Sequence, residues 1–277
     1  MEVINLILTV IFLMLSIGCS GIIYYFTHLY EQWYFFFVPI LLIPILYVGI
    51  FIVYVLFLFL ASLCLNTKKE VNKPNRFWNF FVQQTCFQLL LLTRTRVKVE
   101  GKEKIDPTQR YLVVSNHISM FDPMVIMQKL GLHPLMAVSK KENLKFPICG
   151  PFIHHAGFIF LDRENTHSAI DMVRKTTSYI NQDLASIYIC PEGTRSKTQE
   201  VLPFHPGSFK IATRAEIPII VCYIDKTHLI AKHFPFRGTK VKIKIVAIIS
   251  KEDVMSKKTT ELADIAYEFI KKEKESC

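Results

Sequence analysis

A histidine and an aspartate stand five positions apart in Asn116-His117-Ile118-Ser119-Met120-Phe121-Asp122, and together they are suited to taking a proton from a hydroxyl. Neutral imidazole accepts a proton near physiological pH, while a carboxylate on its other nitrogen fixes the tautomer and stabilises the imidazolium that forms. The spacing brings both into one turn. Tyr111-Leu112-Val113-Val114 reads as a short apolar strand, and Asp122-Pro123 ahead of Met124-Val125-Ile126-Met127 reads as a helix start. Asp before Pro is also what a plain N-cap looks like, so a structural reading of Asp122 stands beside the catalytic one. Ser119 could serve as a nucleophile, but a hydroxyl in a short turn more readily bonds the backbone or helps to cap the helix.

Four further segments follow strand-like runs or open a helix and are rich in groups that bind anions. They are Lys140-Lys141; Asp162-Arg163, closing Gly157-Phe158-Ile159-Phe160-Leu161; Pro191-Glu192-Gly193-Thr194-Arg195-Ser196; and Phe204-His205-Pro206-Gly207-Ser208-Phe209-Lys210. Arginine presents a planar fork matched to phosphate oxygens and lysine a compact charge, so Lys140, Arg163 and Arg195 could together hold a phosphomonoester. Taken singly, each cation is equally a solvated surface charge. Gly193 fits an ordinary turn or a close approach to a ligand. Glu192 could orient Arg195, accept a substrate hydroxyl or form a structural ion pair.

The elements that would position these groups alternate along the chain. An edge strand over Arg96–Glu100 precedes strands near 111–115, 135–139, 158–161, 186–190, 217–223 and 241–249. Helices are expected near 123–130, 167–181, 208–215 and 259–272. This order predicts one α/β domain over 97–277 with a single mixed, largely parallel sheet flanked by helices, its functional loops gathered at one edge. Before it, 67–96 reads as an interfacial or linker helix: Phe77, Trp78, Phe80, Phe81 and Phe87 are mixed with Asn79, Gln83, Gln84 and Gln88, although a buried core helix fits the same pattern.

Residues 1–66 are different. Hydrophobic residues make up 51% of the 277, and the excess is local: Val3–Phe26 and Phe35–Leu65 contain no charged residue, and each exceeds the roughly 20 residues needed to cross a bilayer. They predict a membrane hairpin, spanning or re-entrant, with the aromatic segment Thr27–Tyr34 as its turn among headgroups. All 33 Lys and Arg lie after residue 65, with Lys68, Lys69, Lys73 and Arg76 directly behind the second helix, which puts the following domain on the cytoplasmic face. A basic surface on a membrane-attached chain favours anionic lipid or an acidic partner over nucleic acid, and no zinc-finger or helix-turn-helix pattern is present. The seven cysteines include no CxxC and the histidines have no metal-ligand spacing, so neither metal nor disulfide is expected. Nucleophile-elbow, Walker, HExxH and dinucleotide signatures are absent.

NHISMFD, GFIFLDR, PEGTRS and AEIPII, in this order behind an apolar N-terminus, resemble the four sequence blocks of the glycerolipid acyltransferases, most closely the 1-acylglycerol-3-phosphate acyltransferases. The likeness covers roughly residues 97–250, and the ordered blocks are far more specific than any one motif. It implies that His117 is a general base partnered by Asp122 and that an acyl group moves from acyl-CoA or acyl carrier protein to the sn-2 hydroxyl of lysophosphatidate without an acyl-enzyme. No metal or bound cofactor is implied. It further implies that Lys140, Gly157, Arg163, Glu192, Gly193 and Arg195 bind the acceptor's glycerol phosphate, and that Pro218 marks the acyl-substrate region. One departure is His205, where relatives commonly carry a lysine. Glycerol 3-phosphate or another lysophospholipid as acceptor, or a noncatalytic role in binding lipid phosphates, would use the same residues.

Overall fold

The computed structural model describes residues 2–31, 35 and 37–276. Gln32-Trp33-Tyr34 of the expected hairpin turn lie outside the described residues, as does Cys277. The chain divides into two compact units, Met1–Asn66 and Thr67–Cys277.

In the first unit, helices α1 (Glu2–Phe26) and α2 (Val38–Leu63) pack on each other. Leu6–Phe26 and Val38–Leu63 are long and apolar enough to cross a membrane, at 21 and 26 residues. Phe12 is buried between them, its ring edge-on to Tyr47 and Tyr54 at 6.0 and 5.6 Å. The hydroxyls inside this apolar unit are satisfied locally: Ser16 donates to the carbonyl of Phe12 at 2.7 Å and Ser20 to that of Pro39 at 2.8 Å. Leu41, Ile45 and Val53 point outward and exposed, as an apolar helix does when hydrocarbon is its solvent.

The second unit is built on a seven-stranded sheet. In spatial order its strands are β1 (Arg96–Glu100), β7 (Lys240–Ile249), β6 (Ile219–Asp225), β2 (Leu112–Ser115), β5 (Ser186–Ile189), β3 (Leu135–Lys140) and β4 (Ile159–Leu161). Every neighbouring pair is parallel except β6 and β7. Leu112, Val113, Val114, Ile187, Ile219, Ile220 and Val221 are wholly buried, as expected of central strands covered on both faces. The cover comes from α3 (Arg76–Leu92), α4 (Asp122–Lys129), α5 (Cys149–Ala156), α6 (Thr166–Asn181), α7 (Lys210–Ala215), α8 (Leu229–His233), α9 (Lys251–Ser256) and α10 (Thr259–Glu275). The mixed, largely parallel sheet and the edge position of β1 agree with the sequence reading. The short helices α5, α8 and α9 were not foreseen, because none reaches the length at which a 3.6-residue pattern separates from a loop.

Because β2, β3, β4, β5 and β6 run the same way, their C-terminal ends share one edge of the sheet. Strands β7 and β1 run oppositely and start at that edge. The loops after β2, β3, β4, β5 and β6 therefore emerge together.

The segment expected as an interfacial or linker helix over 67–96 belongs to this same unit, where α3 packs on α4 and α5. It buries its amides: Gln83, Gln84 and Gln88 lie in the interior, and the Gln128 side chain donates to both the backbone and side-chain oxygens of Gln83 at 2.8 and 2.7 Å. Phe77 and Leu91 face outward instead. The buried face of α3 therefore carries amides that apolar content alone would have placed outside.

Pro218 stands immediately before β6, whose first residue Ile219 pairs with Leu112 at the start of β2. It therefore lies at the opposite edge of the sheet from the turn after β2. It is buried, and its carbonyl accepts the Leu112 N–H at 3.1 Å. Lacking an N–H, it is suited to the start of a strand.

Candidate active site

The turn after β2 is held together by one carboxylate. Asp122 is the first residue of α4 rather than its N-cap, a position that Phe121 occupies without a side-chain cap. Its carboxylate folds back over the preceding turn, where Oδ2 accepts Nδ1–H of His117 and the backbone N–H groups of Ile118 and Ser119, each at 2.8 Å. Oδ1 accepts the hydroxyl of Thr227, 105 positions along the chain and just past β6. Asp122 is fully buried and the His117 side chain is 17% exposed. An ionised acid accepting from Nδ1 leaves Nε2 as the basic nitrogen of the ring. Ser119 instead uses its hydroxyl to accept the Phe121 N–H at 3.2 Å.

The backbone of His117 is gripped on both sides by the loop after β5. Glu192 Oε1 accepts its N–H at 2.9 Å, and its carbonyl accepts the Ser196 N–H at 2.8 Å. Asn116, the residue before it, bonds the backbone of Ile224 in β6 through both ends of its amide, at 2.9 and 2.8 Å. Three strands thus fix the ring's starting point. Glu192 is 3% exposed, and among the described residues it makes no ion pair with Arg195. Through Oε1 it supports the base from behind. Burial pushes its carboxyl up to about 7, opposed by the His117 and Leu202 N–H groups and the His117 ring, and reinforced by Asp122.

Cys190, directly after β5, acts on the His117 ring electrostatically. Its Sγ is 3.1 Å from the buried Tyr188 hydroxyl, itself 2.8 Å from Ser115 Oγ. Burial opposes charge on His117 but is outweighed by Cys190 and Asp122, so the ring is pushed up to about 10. The site thus favours the imidazolium that forms when the base accepts a proton.

The cations lie around this centre at the same sheet edge. Lys140 ends β3, Arg163 follows β4 and Arg195 lies in the loop after β5. All three are exposed. Lys140 is paired with Glu142 at 3.2 Å, while Arg163 and Arg195 have no ion-pair partner among the described residues. The two glycines differ. Gly157 caps α5 at φ +100°, and a Cβ there would lie 2.7 Å from the Pro74 backbone. Gly193 turns the loop after β5 at φ +69° against the His205 ring, which a Cβ would approach to 3.0 Å. His205 also donates its N–H to the Pro191 carbonyl at 2.9 Å, so it braces that loop.

Sequence reasoning missed Thr227, Ser196 and Cys190. Ser196 and Cys190 flank the PEGTR run and were within reach of it. Thr227 carries no local signal, since only the pairing of β6 with β2 brings it to Asp122.

Residues 96–225 match the family model described as Acyltransferase. The chain is 30% identical over 191 residues to the 1-acyl-sn-glycerol-3-phosphate acyltransferase of Saccharomyces cerevisiae, covering 66% of this chain and 62% of that protein. It is 36% identical over 125 residues to 1-acyl-sn-glycerol-3-phosphate acyltransferase alpha of Mus musculus, covering 45% of this chain and 44% of that one. These matches thus span less than two thirds of the relatives' own length. The fold is similar to the crystal structure of the 1-acyl-sn-glycerophosphate (LPA) acyltransferase, PlsC, from Thermotoga maritima, with a TM-score of 0.55 and 23% identity over 80% of this chain and 88% of that one. Residues 96–225, which hold His117, Asp122 and the cation-bearing loops, are thus the part of the chain that resembles the acyltransferase family.

Proposed function

We propose that this protein moves a fatty acyl group from an acyl thioester to the free sn-2 hydroxyl of a 1-acylglycerol 3-phosphate, giving phosphatidate. The observation that carries the reading is the Nδ1–H of His117 committed to a buried carboxylate at 2.8 Å, which leaves Nε2 to act on a hydroxyl. As the acceptor oxygen attacks the thioester carbonyl, Nε2 takes its proton. When the tetrahedral intermediate collapses, the imidazolium returns that proton to the departing thiolate, so no acyl-enzyme forms. Lys140, Arg163 and Arg195 hold the acceptor's phosphate, with Gly193 shaping the loop that carries Arg195. The donor is acyl-CoA or acyl carrier protein, both acidic and both substrates; no metal or bound cofactor takes part. The names of the relatives favour this acceptor over glycerol 3-phosphate.

The two apolar helices associate the chain with a membrane, and the cations directly behind them favour a cytoplasmic catalytic unit. The test uses the purified full chain in detergent, with lysophosphatidate and a labelled acyl thioester. Labelled phosphatidate should form with the wild type and be lost in His117→Ala. No transfer by the wild type, or undiminished transfer by the variant, overturns the reading.

A further inference from the structure

The loop from β6 to β7 carries a feature that acyl transfer does not use. Residues 226–240, KTHLIAKHFPFRGTK, contain four cations and no acid. Phe236 at its tip is 92% exposed, the highest value of any large apolar side chain among the described residues. An aromatic on a floppy tip would mean little, but this one is held in place. The Arg94 guanidinium donates to the Pro235 carbonyl, and the Arg237 N–H bonds the His233 carbonyl at 2.8 Å. His233 Nδ1 and Thr239 Oγ1 are 2.9 Å apart, and the Arg96 N–H donates to the Thr239 carbonyl at 2.8 Å. Arg94, Lys232 and Arg237 are exposed and have no ion-pair partner among the described residues. An apolar ring is therefore fixed outward within a collar of uncompensated positive charge.

Its place in the sheet gives the direction. Strand β6 ends and β7 begins at the edge that carries His117. Two other loops at that edge also expose apolar side chains: Met120 after β2, at 60%, and Phe146 after β3, at 59%. Scattered exposed hydrophobics are ordinary on a soluble protein. Three at the tips of loops from one sheet edge, with cations beside Phe146 and Phe236, have the chemistry of a bilayer interface. Aromatic and thioether groups there enter the headgroup–acyl boundary while Lys and Arg meet anionic phosphates.

We propose that the 232–237 loop, led by Phe236, is a wedge by which the catalytic unit engages an anionic lipid surface, turning the edge that holds His117 toward the bilayer. The occupant is a lipid surface because the collar is cationic throughout and the chain already carries helices of membrane-spanning length. The wedge is separate from the acyl-transfer reading and would hold for any lipid acceptor.

The test uses the full chain reconstituted in vesicles. Phe236→Trp, compared with wild type to remove the signal of Trp33 and Trp78, should be quenched about twofold or more by brominated phosphatidylcholine mixed with phosphatidylglycerol. Adding Lys232→Glu and Arg237→Glu should relieve that quenching. In a second arm, Phe236→Ala should slow turnover of a long-chain acceptor in anionic vesicles about tenfold, a shift of about 1.4 kcal/mol, while sparing a short-chain acceptor in solution. Absence of quenching in anionic vesicles, or quenching indifferent to the charge reversals, overturns the proposal and assigns the patch to another occupant. The quenching arm needs no turnover, so failure of the wedge and failure of the acyl-transfer reading are distinguishable.

Discussion

The turn that holds the base and the rim of cations around it solve opposite problems at the same sheet edge. At the turn, Asp122 is fully buried with four donors on its two oxygens, and both backbone groups of His117 are bonded to the loop after β5. At the rim, Lys140 is half-exposed beside Glu142, and Arg163 and Arg195 reach into solvent. A general base must stand within a few tenths of an ångström of its proton before substrate arrives, so its geometry is fixed by folding. A phosphate clamp gains from long side chains that close on the ligand, with the ordering cost borne at binding. Variants of the turn should therefore act on kcat and variants of the rim on KM.

The largest effect belongs to the dyad. His117→Ala should lower kcat by about 10²–10⁴ with KM little changed. Asp122→Asn should approach it, because a neutral amide no longer stabilises the imidazolium by charge, yet its oxygen still accepts the backbone N–H groups of the turn. Steady-state kinetics beside a thermal melt would separate the two roles; a collapse of the melt at unchanged kcat would make Asp122 a structural cap after all.

Next comes the rim. Arg195→Ala and Arg163→Ala should each raise KM for the lysophosphatidate about tenfold and leave kcat within a fewfold, since a charge-assisted hydrogen bond contributes about 1.5–3 kcal/mol. Lysine in place of either arginine should recover only part of the loss. Equal KM effects with a neutral monoacylglycerol acceptor would show that these cations do not read the phosphate.

A smaller loss is expected from the brace behind Asp122. Thr227→Val removes one donor without changing shape and should lower kcat about five- to tenfold with KM unmoved, the cost of one hydrogen bond to a charged acceptor. An unaltered kcat would mean that the three donors on Oδ2 orient the acid unaided. Thr227 also marks the limit of what was legible in the chain. His117 and Asp122 were readable because they are near neighbours on a strand–turn–helix pattern, and the parallel sheet because strands and helices alternate. What was not legible were contacts made across the fold. Glu192 sits in a cation-rich loop but turns inward to the His117 backbone. Gly157 and Pro218 lie in recognisable blocks, but nothing in those blocks shows that one packs against Pro74 and the other stands just before β6 at the far edge. A motif fixes which residues occur together, while the direction in which each points is decided by strand register and burial.

The finest test of the contrast is the pH profile, because His117 and Glu192 titrate away from their ordinary values. His117 must be neutral to accept a proton, and with its ring pushed up to about 10 the active fraction in the free enzyme grows as pH rises toward that value. Glu192, pushed up to about 7, gains a proton below that pH and then holds the His117 N–H more weakly. The wild-type kcat/KM should therefore climb steeply below about 7 and with a single-proton slope above it. Cys190→Ala removes an influence that raises His117, so the upper limb should move to lower pH, each unit of movement giving about tenfold more neutral base at a fixed pH below the limb. Glu192→Gln should erase the lower limb and leave the upper one where it was. If instead Cys190→Ala leaves both limbs in place, the sulfur is a bystander and Asp122 alone sets the basicity of His117.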